Sequence, residues 1–133
     1  MYERRQKLLR TGYGALSRGD IEGALKVLDP DVEIATSGAF LDSGTVYRGH
    51  DGAREFFRMI GDVFEELAYD VLDVHEVDAD RVLVIVRLRG RGRGTGLELD
   101  REAGHLWTLR GERPVRMQGF ASPEEARAAA GLA

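Results

Sequence analysis

Cysteine is absent from this 133-residue chain, which excludes disulfides, a thiol nucleophile and cysteine-based zinc sites. Histidine is scarce: His50, His75 and His105 lie far apart, with none of the short spacings of a transition-metal site. No stretch approaches the roughly 18 consecutive apolar residues of a membrane span. Met1 to Arg10 is charged and lacks the apolar centre of a secretory signal. A cytoplasmic protein is the expectation from these absences. A basic excess is missing too, and the net charge of -4 argues against general nucleic-acid binding. No repeat, linker or low-complexity segment divides the chain, so one domain spanning 1–133 is expected, long enough to bury a proper core.

What the chain does contain is a pair of strand-like segments, between Val82 and Leu109, that can fold back about Thr95-Gly96. With that dipeptide as the turn, Arg89 faces Glu102, Arg91 faces Asp100 and Arg93 faces Glu98. Opposite charges at such positions support the pairing by roughly a few tenths of a kcal/mol each. Side chains alternate along a strand, so Val82, Val84, Val86 and Leu88 share the other face with Leu109, Trp107, His105 and Ala103. The pairing predicts a charged outer face and an apolar inner face bearing one imidazole. Leu83, Ile85 and Leu106 form an apolar patch on the outer face, bordered by charge, a pattern of interface core and rim. Gly90, Gly92, Gly94 and Gly96 lead into no helix, as a phosphate loop must; they permit bending of long strands.

Apolar spacing predicts helices over 3–17 and, after an N-cap at Asp20, over 21–28. Asp29-Pro30-Asp31 breaks the second, and Val32 to Ile34 reads as a short strand. Residues 37–49 read as a loop, with a brief strand near Thr45 to Tyr47. Asp51 is expected to cap a third helix running to about Leu67, buried along Phe56, Phe57, Ile60, Val63, Phe64 and Leu67. Strands then follow at Tyr69–Val77 and Val115–Phe120, on either side of the hairpin. Ser122-Pro123-Glu124-Glu125 opens a last helix, ended by Gly131. Helices first, then an antiparallel meander, then a terminal helix is an α+β order, with helices segregated to one face. His50 is expected on the solvated surface beside the capping Asp51, and His75 faces outward.

Several strings in this order resemble the nuclear transport factor 2-like superfamily, in its SnoaL-like, polyketide-cyclase-like branch. They are Ala15-Leu16-Ser17-Arg18-Gly19-Asp20, Asp29-Pro30-Asp31-Val32, Tyr47-Arg48-Gly49-His50-Asp51-Gly52, Leu106-Trp107-Thr108-Leu109-Arg110-Gly111 and Pro123-Glu124-Glu125-Ala126. The resemblance covers nearly the whole chain. It implies N-terminal helices packed on a strongly curved sheet, a cone-shaped apolar pocket, and homodimers through the outer sheet face. The fold hosts isomerases, cyclases, hydrolases and binding modules, so the site must decide the function. Aligned on the ketosteroid isomerases of this fold, Thr36 stands where the catalytic base would be. Gly12 replaces the oxyanion tyrosine, with Tyr13 next to it, His105 replaces the protonated aspartate, and Phe57 replaces a supporting tyrosine. The resemblance therefore implies the cone without the isomerase's base.

His105 is the leading polar candidate, since an imidazole can donate at one nitrogen and accept at the other near neutral pH. Tyr13, Thr36 and Asp42 are its candidate orienting groups. Trp107, Val84, Val86, Leu88, Phe57, Thr36, Met117 and Tyr47 are the expected pocket residues, with Tyr47 at the mouth. No cofactor and no metal is expected. Two readings stay open. One is cyclase- or isomerase-type acid–base chemistry at His105, helped by Tyr13 or Asp42, on a small apolar carbonyl compound. The other is a non-catalytic ligand-binding or dimerisation module of the same fold.

Overall fold

The computed structural model describes residues 2–36 and 45–132. Among these, the helices are α1 (Tyr2–Ser17), α2 (Ile21–Val27), α3 (Gly49–Val63) and α4 (Pro123–Ala130). The strands are β1 (Glu33–Thr36), β2 (Val46–Arg48), β3 (Phe64–Glu76), β4 (Arg81–Gly92), β5 (Glu98–Arg110) and β6 (Arg113–Phe120). They form one mixed sheet in the order β2-β1-β6-β5-β4-β3. Only β1 and β6 run parallel, with Ile34 beside Met117 and Thr36 beside Gly119. The class is α+β, as the element order implies.

Capping chemistry sets several boundaries. The Asp20 carboxylate accepts from the Gly23 amide at 2.9 Å and starts α2. Ser122 Oγ accepts from the Glu125 amide at 3.2 Å, Pro123 opens α4, and Gly131 closes it at φ 79°. The third helix departs from expectation at both ends. It begins at Gly49, so Asp51 lies inside its first turn, where it pairs with Arg54 at 2.8 Å instead of capping. His50 is accordingly half-buried, and its Nε2 meets the Leu28 carbonyl at 3.0 Å. Phe64 and Leu67 keep helical spacing, yet Phe64 already pairs with Gly92 in the sheet. The backbone hydrogen bonds offered by the long β4 outweigh that local pattern. The change of period is taken up by a bulge between Glu65 and Ala68, with Glu66 at φ 54°. A Cβ at Gly90 would stand 3.1 Å from Leu67 Cδ1 and 3.2 Å from Leu67 Cα. Glycine there is what lets the bulge lie against β4.

The central hairpin differs from its expected register by two residues. Arg87 faces Glu102, Arg89 faces Asp100 and Arg91 faces Glu98. A two-residue turn on Thr95-Gly96 would need a left-handed or mirror conformation at Thr95, which a β-branched residue resists. Instead Gly92 N donates to Leu97 O at 2.8 Å, and the intervening loop places its positive φ angles at Gly94 (77°) and Gly96 (71°). The expected charge pairs are replaced by Arg87–Asp100 at 2.7 Å, Arg89–Asp70 at 2.6 Å and Arg93–Glu65 at 3.7 Å. All are solvent-exposed, so they add little stability. A shift of two preserves the alternation, and the inner row from Val82 to Leu88 and from Ala103 to Leu109 is buried.

The outer apolar patch is not free. Leu83, Ile85 and Leu106 are 1%, 4% and 2% exposed beneath Ala126 and Ala130 of α4. The surface expected as a dimer core is thus the seat of the chain's own C-terminal helix. Residues 82–86 are therefore buried on both faces, which explains an unbroken apolar run where a one-faced strand would alternate. Helix and sheet meet most tightly at Gly104, where a Cβ would stand 2.2 Å from Ala126 Cβ. Gly104→Ala is expected to destabilise the fold by about 1–3 kcal/mol through overpacking. Urea unfolding followed by circular dichroism measures this, and an unchanged midpoint would mean that α4 is not seated there.

Candidate functional site

Between the inner sheet face and helices α1 and α3 lies a cavity of about 180 Å³. Each wall is placed by a simple periodicity. Helix α1 contributes Tyr13 and Leu16, three residues apart on one face. Helix α3 contributes Phe56, Phe57, Met59 and Ile60; Thr36 comes from β1, and Met117 with Gly119 from β6. Alternation along β5 brings in Leu99, Arg101, His105 and Trp107, and β3 and β4 add Tyr69 and Leu88.

Tyr13, His105 and Trp107 form a hydrogen-bonded chain at the closed end. Trp107 Nε1 donates to Tyr13 Oη at 2.8 Å, and Tyr13 Oη lies 2.6 Å from His105 Nδ1. An indole nitrogen can only donate, so the phenol accepts from it and has its single proton left for His105. Giving that proton to Nδ1 satisfies all three side chains at once, and on this ground Nδ1 is assigned as the acceptor. In a neutral imidazole the proton then resides on Nε2, which meets no partner among the described residues while His105 lines the cavity. Burial pushes the His105 pKa down to about 4 and raises that of Tyr13, so both groups are neutral near pH 7. The Tyr13 and His105 rings lie nearly parallel at 9°, while Trp107 meets Tyr13 edge-on at 86°.

His105 is therefore not placed as a free general base. The imidazole lone pair that a general base needs is already engaged by Tyr13, and burial disfavours protonation. What His105 offers the cavity is an N–H donor. Such a donor can polarise a carbonyl or stabilise negative charge developing on oxygen.

Thr36 does not orient His105. It is 7% exposed, lines the cavity, and its Oγ1 has no hydrogen-bond partner among the described residues. Asp42 lies outside the described residues. Trp107, Leu88, Phe57 and Met117 stand in the cavity wall, whereas Val84 and Val86 lie in the core. Tyr47 packs on Phe56 at 5.2 Å, with its hydroxyl 3.6 Å from Met59 Sδ, behind the wall. Among the described residues no group of three His, Asp or Glu side chains converges as metal ligands.

Two polar wall residues escaped the sequence analysis. Tyr69 is one: its backbone meets Ser17 Oγ at 2.9 Å, and burial raises the pKa of its phenol. Arg101 is the other, two positions before Ala103 on the inner row of β5. The alternation that placed His105 inside would have found it, had the row been followed towards the turn.

An α+β scaffold with an apolar cavity enclosed between helices and one sheet face defines the nuclear transport factor 2-like fold. Similar solved structures bear this out. An NTF2-like protein of unknown function from Burkholderia pseudomallei is 22% identical, with a TM-score of 0.79 over 94% of this chain and 95% of the other. TerC, crystallised with polyporic acid, is 22% identical, with a TM-score of 0.79 over 96% and 98%. A protein with a ketosteroid isomerase-like fold from Catenulispora acidiphila, in complex with trimethylamine, is 14% identical, with a TM-score of 0.76 over 95% and 93%. At these identities the likeness is one of fold. Residues 9–117 match the SnoaL-like domain model, and the chain belongs to that family. No curated protein matches its sequence. No helix among the described residues is long and apolar enough to cross a membrane.

The chain of hydrogen bonds has measurable consequences. In the unfolded chain His105 titrates near 6.5, but in the fold only near 4. Between those values the unfolded chain binds a proton that the folded one does not, so stability is full above about pH 6.5 and falls as pH drops towards 4. The loss amounts to about 3 kcal/mol at the low end. His105→Gln is expected to flatten that segment of a stability profile obtained by urea unfolding across this range. Tyr13→Phe leaves both the indole N–H and His105 Nδ1 unpaired, and is expected to cost about 2–4 kcal/mol by the same assay.

Proposed function

We propose that this chain is a binding pocket for a compact, largely apolar molecule with a carbonyl or similar oxygen, which accepts from His105 Nε2–H and from Thr36. The observation carrying this reading is the pairing of an apolar cavity with two inward polar groups that have no partner among the described residues. A buried hydroxyl without a partner costs about 1–3 kcal/mol, a cost that a ligand oxygen at Thr36 Oγ1 would relieve. Sites for small molecules have this composition: mostly apolar walls and a few placed polar groups. A cavity of about 180 Å³ suits a body of one or two rings; for comparison, an apolar cavity of about 150 Å³ accepts benzene. Solved structures of the same fold hold small molecules, polyporic acid in TerC and trimethylamine in the Catenulispora protein, in keeping with this reading.

Binding is favoured over acid–base turnover at His105, because the imidazole is held as a neutral donor. If a bound carbonyl compound reacts here, the chain's contribution is to stabilise the enolate-like oxygen.

Trp107 is the only tryptophan and lines the cavity, so its fluorescence reports occupancy directly. The neutral ketone 2-acetylnaphthalene is expected to quench it saturably, and to bind roughly tenfold tighter than 2-ethylnaphthalene, which lacks the oxygen. Thr36→Val is expected to weaken the ketone while raising the unfolding free energy by about 1 kcal/mol, since an orphan hydroxyl leaves an apolar site. Equal binding of ketone and hydrocarbon, or a Thr36→Val variant that binds the ketone normally, would overturn the assignment.

A further inference from the structure

Arg101 sets a chemical condition on the ligand that the apolar walls do not. It shares the inner row of β5 with Leu99, Ala103 and His105, pairs across the sheet with Leu88, and lines the cavity while remaining solvent-exposed. It therefore stands at the rim, with His105 and Thr36 deeper inside. Its guanidinium makes one hydrogen bond, from Nη2 to the Ala121 carbonyl at 2.8 Å, and no ion pair among the described residues. Three outward arginines of the same hairpin are held by carboxylates, Arg87 by Asp100, Arg89 by Asp70 and Arg93 by Glu65, while the outward Arg91 is exposed to solvent. What sets Arg101 apart is its direction: it is the hairpin cation that lines the cavity, anchored at Ala121 and without an ion pair among the described residues. A guanidinium offers five donors in a planar fork matched to carboxylate oxygens, and here one is spent on Ala121.

We infer that the pocket takes an organic acid: an apolar ring body whose anionic oxygens lie at the rim on Arg101 and whose neutral oxygen reaches His105 and Thr36. This rests on the pocket assignment made above and adds the charge of the ligand to it. Arg101 and His105 are four residues apart on one strand, which at about 3.3 Å per residue separates their backbones by about 13 Å. The arginine side chain closes part of that distance, leaving the length of a substituted two-ring molecule. Placing the charge at the rim also avoids burying an anion among the apolar side chains of the deeper cavity.

The test compares two molecules that differ only at the rim end, 6-acetyl-2-naphthoate and 2-acetyl-6-methylnaphthalene, titrated against Trp107 fluorescence. The keto-acid is expected to bind roughly tenfold tighter at low ionic strength, with the advantage shrinking as salt is added. Arg101→Gln is expected to abolish that advantage and leave the neutral ketone unaffected, whereas Arg87→Gln, on the outer face, preserves it. Arg101 is exposed, and equal thermal midpoints of the two variants would show that folding is intact. If the neutral ketone binds as tightly as the keto-acid, or if Arg101→Gln keeps the preference, the inference is wrong and the apolar pocket stands. If neither molecule binds, the pocket assignment itself fails, and the inference with it.

Discussion

Everything in this site depends on the alternation of side chains along β5 once it is paired with β4. That constraint divides the hairpin into two faces with different fates. One carries Val82, Val84, Val86 and Leu88 opposite Ala103, His105 and Trp107, and is closed by α1 and α3. The other carries Leu83, Ile85 and Leu106, and is closed by α4. A slip of one residue would turn Arg87 and Arg89 towards the cavity and Leu88 towards solvent, so the parity is strongly held. A slip of two costs far less. Loop geometry could therefore choose between registers without moving any residue to the wrong side.

Within that frame the phenol of Tyr13 decides the electrostatics. It satisfies Trp107 and His105 at once, and by doing so selects the imidazole tautomer. Without it, His105 would be a buried group free to accept a proton from a ligand. With it, His105 becomes a fixed N–H donor whose protonation is suppressed by burial. The same inner row that ends in this neutral network begins at its open end with a cation, Arg101. Polarity along the cavity thus runs from a charged, hydrated rim to an uncharged, hydrogen-bonding floor.

Much of this was legible in the residues. Asp20 and Ser122 announced their helix starts because capping is a local exchange of one side-chain oxygen for one orphan amide. His105 and Trp107 were placed inside by period-two alternation alone. The boundary between α3 and β3 was not legible, because Phe64 and Leu67 satisfy the helical period and only distant strand pairing overrides it. The outer patch misled for a related reason. Leu83, Ile85 and Leu106 look the same in sequence whether a second chain or the chain's own helix covers them, and the glycine at 104 that admits Ala126 carries no local signature of its partner.

The sequence by itself determined which residues face which way, because alternation and helical spacing are properties of the backbone that need no partner. It also determined the family, through short strings kept in order along the chain. Tertiary structure alone decided what those residues do. That the Tyr13 hydroxyl, ninety-two positions from His105, hydrogen-bonds Nδ1, and that among the described residues Thr36 Oγ1 has no partner and Arg101 no carboxylate, are facts of contact. Hydrogen bonds and charge pairs depend on ångström-scale distances between segments remote in sequence, and no local pattern encodes those distances.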